Sequence, residues 1–165
     1  MSGFAQHAAL LAATIATGLL AGVFYGFACG VMLALKRVDD GVFVDVMQKI
    51  NAAIQNGWFM LSFLGSLVFM LVAGAFELGD GGSALLPLVI ALVFDIGTFV
   101  VTFGINIPLN NQLDRAGRHG RVADPATARR LFEGPWNRWN AIRALLATVS
   151  FGFLCWTLEL NAAGA

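Results

Sequence analysis

Four polar side chains interrupt one long apolar run: Asp95, Thr98, Thr102 and Asn106. Their spacing places them on a single stripe of a helix. An unpaired polar atom in apolar surroundings is costly, so this stripe is expected to face other helices or a ligand and not lipid. Asp95 is the one acid of that apolar core, and an acid at membrane depth is a functional residue by default. Further along stand Asn110, Trp136, Trp139, Asn140 and Arg143. Amide, indole and guanidinium groups are hydrogen-bond donors. Asn140 and Arg143, three residues apart, share a helix face. Such donors suit the oxygen-bearing end of an otherwise apolar ligand, and Phe103 and the tryptophans suit its flat faces.

The elements that must position these residues are membrane spans. Of 165 residues 58% are hydrophobic, and the mean hydropathy is +0.76, well above that of a soluble domain. Four apolar stretches, at about 4–35, 58–76, 85–105 and 139–158, each approach or exceed the roughly 20 residues that cross a bilayer. The expected fold is therefore all-α, a four-transmembrane-helix bundle forming a single membrane domain over 1–165. Two connections are expected to carry short interfacial helices. In the first, Phe43, Val46, Met47, Ile50 and Ile54 recur at helical spacing between polar residues. In the second, Asp124-Pro125 reads as N-cap and first-turn proline of a helix through Phe132, which Gly134-Pro135 should stop. Pro108 should end the third span, and Glu77 to Ser83 reads as a tight turn.

Charge placement sets the expected orientation. All ten lysines and arginines lie at or near the one-to-two and three-to-four connections. By the positive-inside rule those connections are cytoplasmic and both termini lie outside. The N-terminal run lacks a basic leader region and is too long for a signal-peptide core, so it reads as a retained span. Gly18, Gly22, Gly26 and Gly30 form a ridge that lets backbones approach closely. It fits a neighbouring helix of the same chain, the preferred reading, or a second subunit, which would make a homo-oligomer. Cys29 and Cys155 fall at different depths and are not expected to bridge. His7 and His119 lie on opposite sides, so no metal site is expected. The arginines from 115 to 130 read as a membrane-proximal loop, with no nucleic acid as partner.

A rise of about 1.5 Å per residue sorts the polar residues into two layers. Asn106, Asn110, Asn140 and Arg143, with Trp136 and Trp139, converge near the basic end. Asp95 lies roughly 16 Å deeper, at the level estimated for Tyr25. Each has a plainer reading: the tryptophans as an aromatic belt, Asn106 and Asn110 as helix caps, Arg143 as a snorkelling cation, Asp95 as a structural hydrogen bond to Tyr25 or a serine.

Several stretches resemble the anthrone oxygenase-like family of small four-helix membrane proteins: Gly22-Val-Phe-Tyr-Gly-Phe27, Arg37-Val-Asp-Asp40, Met47-Gln-Lys-Ile-Asn51, Thr102-Phe-Gly-Ile-Asn-Ile-Pro-Leu-Asn110 and Phe132-Glu-Gly-Pro-Trp-Asn-Arg-Trp-Asn140 with Arg143. The resemblance runs from about Gly18 to Thr148. After Gly30 the family pattern leads one to expect a proline, where this chain continues Val-Met-Leu-Ala-Leu, a departure that should straighten span one. The resemblance implies an integral protein of a bacterial inner or plasma membrane. It also implies oxidation of an anthrone-type substrate to a quinone with dioxygen, with no metal or organic cofactor.

On that reading Asn106, Asn140 and Arg143 stabilise an oxyanion, while Tyr25, Asp95, Phe103, Asn110, Trp136 and Trp139 contact the hydrophobic substrate. The alternative is a non-catalytic bundle that binds a hydrophobic ligand or serves assembly. A proton or solute carrier is a weaker third reading, because one buried acid and no inverted repeat fall short of a pathway. A catalytic layer predicts that Asn140→Ala abolishes turnover and spares stability, whereas Gly22→Leu unfolds the bundle.

Overall fold

A computed structural model describes residues 2–79, 84–117 and 122–163. Of the turn expected over Glu77 to Ser83, residues 77–79 are helical and 80–83 lie outside the described residues, as do Arg118, His119 and Arg121 of the second basic connection. Four helices are long and apolar enough to cross a membrane: α1 (Gly3–Leu35), α3 (Gly57–Gly79), α4 (Leu85–Arg115) and α5 (Pro125–Ala163). Between the first two lies the amphipathic α2 (Asp40–Ala53). In cross-section α1 packs on α3 and α5, and α5 also packs on α4, whereas α3 and α4 touch each other far less.

The bundle is apolar outside and partly polar inside. Leu19, Leu61, Val68, Leu71, Val93, Val100 and Leu145 are exposed, while Thr17, Ser66, Asp95, Thr98, Asn140, Ser150 and Thr157 are buried. Leucines facing lipid lose nothing, while a polar group facing lipid has no partner. Several inward polar groups tie helices together. Ser150 Oγ donates to the Ala91 carbonyl at 2.8 Å, joining α5 to α4. At the end carrying both termini, Glu77 of α3 accepts from Gln6 of α1 at 2.6 Å and from Asn161 of α5 at 2.8 Å. The sequence expectation of an inward polar stripe on α4 holds: Asp95, Thr98, Thr102 and Asn106 are all buried.

Two helices run on where prolines should have stopped them. α4 passes through Pro108 to Arg115 by way of a π turn, Thr102–Asn106, in which the Ile107 N–H reaches the Thr102 carbonyl. The wider register absorbs a residue that lacks an N–H and crowds the carbonyl four positions back. α5 continues through Gly134-Pro135 for 39 residues. Interior proline costs about 3 kcal/mol, and packing on both sides offsets it: Phe132 and Trp136 are both buried in the cluster of Met32, Phe43, Met47 and Leu113. The start of α5 is as expected, with the Thr127 N–H donating to Asp124 Oδ1 at 3.0 Å. That bond holds the Asp124 carboxyl below the usual range. α1 has a π turn of its own, Phe27–Val31, where a straight helix was expected.

The glycine ridge is only partly used within the chain. A Cβ on Gly18 would stand 2.9 Å from the Phe151 ring, so α1 and α5 need glycine there. Above Gly22, Gly26 and Gly30 there is nothing within 4 Å. The preferred intramolecular reading is thereby corrected for those three positions: the ridge turns off the α5 contact after one turn.

The basic end is closed by Arg129 of α5. Its guanidinium donates to the carbonyls of Leu35, Lys36 and Val38, pairs with Asp40 at 3.0 Å and Glu133 at 2.7 Å, and lies 4.5 Å from the Phe43 ring centroid. It thus caps the C-terminus of α1 and fixes the start of α2. α2 is strapped down further by Gln48 Nε2, which donates to the carbonyls of Leu113 and Gly117. Replacing Arg129 with Ala should lower stability in detergent by about 1.5–3 kcal/mol, the worth of hydrogen bonds to a charged group. Gly18→Leu should be strongly destabilising and Gly22→Leu nearly neutral; thermal unfolding of the three variants checks both statements.

Candidate functional site

A cavity of about 460 Å3 opens between α1, α2, α3, α4 and α5 at the basic end. That volume lies within the usual range of small-molecule sites, about 300–1,000 Å3. Its walls are aromatic. Phe24 and Phe27 come from α1, Phe59 and Phe63 from α3, Phe103 from α4 and Trp136 from α5. Rings span the seam between α3 and α4: Phe63 stacks on Phe99 at 4.2 Å between centroids and meets Phe103 at 5.8 Å. Phe103 and Leu64 are more than half exposed there, on the face the bundle turns to lipid. Polar residues, Gln55, Asn111 and Asp114, form another part of the lining.

Asn106, Asn110, Asn140, Arg143 and Trp136, expected to converge from two separate stretches, all line this one cavity. Their roles differ. Asn140 is fully engaged: its amide nitrogen donates to the Phe24 carbonyl at 3.0 Å and its oxygen accepts from Arg143 at 2.9 Å. A carbonyl of α1 is thereby bonded in the membrane, and the guanidinium is fixed. Arg143 is buried, lies 4.4 Å from the Phe24 ring centroid and 5.6 Å from Trp136, and keeps Nε without a protein partner. Such a cation against aromatic faces is held in the bundle and does not snorkel. The Trp136 indole donates to Asn110 Oδ1 at 2.8 Å, which spends both groups on each other.

Asn106 stands apart. It is 1% exposed, and neither its amide oxygen nor its amide nitrogen has a hydrogen-bond partner in the protein. It closes the π turn of α4, and a π turn inside a long helix often marks a functional position. An orphaned buried amide costs about 1–3 kcal/mol per group, a cost with no packing benefit here.

Three expected residues fall elsewhere. Tyr25 is 62% exposed and points out of the bundle, away from the cavity. Depth arithmetic gave its level and not its direction around the helix. Asp95 is buried but does not line the cavity; its Oδ2 lies 3.1 Å from Ser66 Oγ. Of the two partners expected for a structural Asp95, Tyr25 or a serine, the structure brings the serine, Ser66. Trp139 does not line the cavity either. Residues missed from sequence include Asn51, one of the polar residues between the apolar positions of α2, which is 5% exposed and lines the cavity. Asp114, at the far end of α4, is the only carboxylate among the described residues lining it. Its signal was legible: it stands eight residues past Asn106, hence near the same helix face. Among the described residues no three His, Cys, Asp or Glu side chains are placed to hold a metal ion.

The division of roles changes what substitution should show. Asn140→Ala should lower thermal stability, by about 1–3 kcal/mol for the stranded carbonyl and guanidinium, contrary to the simple expectation that it would spare the fold. Asn106→Leu, which removes an orphaned amide, should leave stability unchanged or raise it. Unfolding of both variants in the same detergent tests this.

A protein-family model described as anthrone oxygenase matches residues 47–153, well over half of the chain. The matched stretch includes Asn51, Asn106, Asn140 and Arg143 and leaves α1 outside it. No curated protein and no solved structure matches the chain. With the four-helix architecture and the convergence of these residues on one cavity, the match shows that the chain belongs to the anthrone oxygenase family.

Proposed function

We propose that this protein is a membrane-embedded oxygenase that converts an activated CH2 of a hydrophobic polycyclic phenol or ketone, of the anthrone type, into a carbonyl with dioxygen and no metal or organic cofactor. The observation that carries the proposal is Asn106, an orphaned amide buried in an aromatic-walled cavity that also receives a fixed arginine. The substrate lies flat among Phe24, Phe27, Phe63 and Trp136. Its carbonyl oxygen accepts from Asn106 and from Arg143 Nε.

Those donors serve the chemistry because removal of a proton from the CH2 delocalises negative charge onto that oxygen, and preorganised donors stabilise a developing oxyanion. Asp114 is the carboxylate available at the cavity to take the proton; Asp95, walled off from the cavity, is not used. The anion passes one electron to dioxygen, the two radicals join to form a C–O bond, and protonation gives a hydroperoxide. Loss of water, with the second hydrogen of the former CH2, leaves a carbonyl. One substrate and one O2 thus give one quinone and one water. Dioxygen and substrate both partition into the bilayer, and the cavity-lining Phe103 and Leu64 at the α3–α4 seam are exposed toward it. The clustering of lysines and arginines at this end supports a cytoplasmic location for it, with both termini outside, by the positive-inside rule.

Oxygen uptake by purified, metal-analysed protein with a 1,8-dihydroxyanthrone, above its spontaneous oxidation, tests the reading. Saturable uptake is expected, reduced about 10²–10³-fold in Asn106→Ala and lost in Asp114→Asn, with no stoichiometric metal. Uptake equal to background, or unchanged in Asn106→Ala, would overturn it and leave a ligand-binding bundle.

A further inference from the structure

The buried stripe of α2 consists of Phe43, Val44, Met47, Gln48 and Asn51, spaced as one helix face. The first three are core residues in the cluster with Phe132 and Trp136 of α5. Gln48 uses its amide nitrogen as a strap onto Leu113 and Gly117. Asn51 has no such duty. Its backbone carbonyl accepts from Gln55 at 3.0 Å, but its side-chain amide nitrogen has no partner in the protein, although the residue is only 5% exposed. It lines the same cavity as Asn106 and Arg143, and it does so from a different wall, since α2 caps the basic end while the other two project from α4 and α5. For packing alone a leucine would serve better at this position, because an apolar residue would leave no buried donor unmatched.

Resting on the oxygenase reading, we propose that Asn51 is a positioning residue that donates a hydrogen bond to a second oxygen of the substrate. The substrate class is then narrower than a polycyclic hydrocarbon with one activated carbonyl. It is an aromatic system carrying at least two oxygen functions, a carbonyl held by Asn106 and Arg143 and a ring hydroxyl that reaches α2. One oxygen fixes the ring system at a point; two fix its direction in the cavity, which decides which carbon is presented to the base and to dioxygen.

Two probes distinguish this role from a structural one: 1,8-dihydroxyanthraquinone, which offers ring hydroxyls, and unsubstituted anthraquinone. Their binding to the full-length protein in detergent is measured for wild type, Asn51→Leu and Asn51→Gln. The wild type is expected to favour the hydroxylated probe. Asn51→Leu is expected to bind it roughly tenfold more weakly, to bind anthraquinone unchanged, and to unfold no earlier than wild type; Asn51→Gln should restore part of the preference. Should Asn51→Leu fail to fold, Asn51→Ala carries the same comparison. Equal weakening for both probes, or an unchanged preference, overturns the role of Asn51 while leaving the oxygenase reading in place. Failure of the wild type to bind either probe overturns that reading and this one with it.

Discussion

A bilayer offers no hydrogen bonds to a helix side chain, so each polar group on the four long helices must find a partner within the bundle or do without. Most of them do find one. Asn140 bonds a carbonyl of α1, Ser150 a carbonyl of α4, and Glu77 gathers amides from α1 and α5. These contacts set helix against helix at both ends and in the middle, where apolar packing alone has little preference between lipid and protein. Against that background an unpartnered amide is conspicuous. The membrane-facing logic that forces Asn140 to be satisfied applies equally to Asn106 and Asn51, and the protein leaves both open toward one cavity.

Much of this was legible in the sequence. Hydropathy and the polar stripe from Asp95 to Asn106 located the spans and the inward face of α4, because period and length are local properties. The convergence of Asn106, Asn140 and Arg143 also followed, since antiparallel spans with known ends fix the level of each residue. Level is not direction, however. Tyr25 shares a depth with buried residues and still faces outward, because its direction depends on where α1 meets its neighbours. Pro108 and Pro135 looked like stops because their local cost was visible, whereas the π turn that accommodates Pro108 and the packing of Phe132 and Trp136 that offsets Pro135 were not. Asn51 was read as an interfacial polar residue because α2 was assumed to lie on lipid headgroups. It packs instead on α4 and α5, which turns its polar-looking edge inward.

The two π turns belong to the same account. One occurs on α1 at Phe27–Val31 and one on α4 at Thr102–Asn106, and Phe27, Thr102, Phe103 and Asn106 from them line the cavity. A π turn shifts the side chains that follow it relative to an α-helical path, and such turns recur at functional positions. On α4 Phe103, at the lipid-side seam, and Asn106, in the interior, both reach the cavity.

The arrangement separates structural from chemical polarity with unusual economy. Asn140 and Asn110 are spent on protein partners, and in spending them the fold gains an immobile Arg143 and an immobile Trp136. Rigid neighbours give the unspent groups a fixed geometry, which is what preorganisation requires: the reorganisation is completed on folding and not when a ligand enters. Asn106 and the free Nε of Arg143 can therefore act only on what enters the cavity, and an apolar hydrocarbon would leave them as stranded as they are without it. A ligand that gains from this site must bring oxygen to it, on a ring system greasy enough to reach it through the membrane.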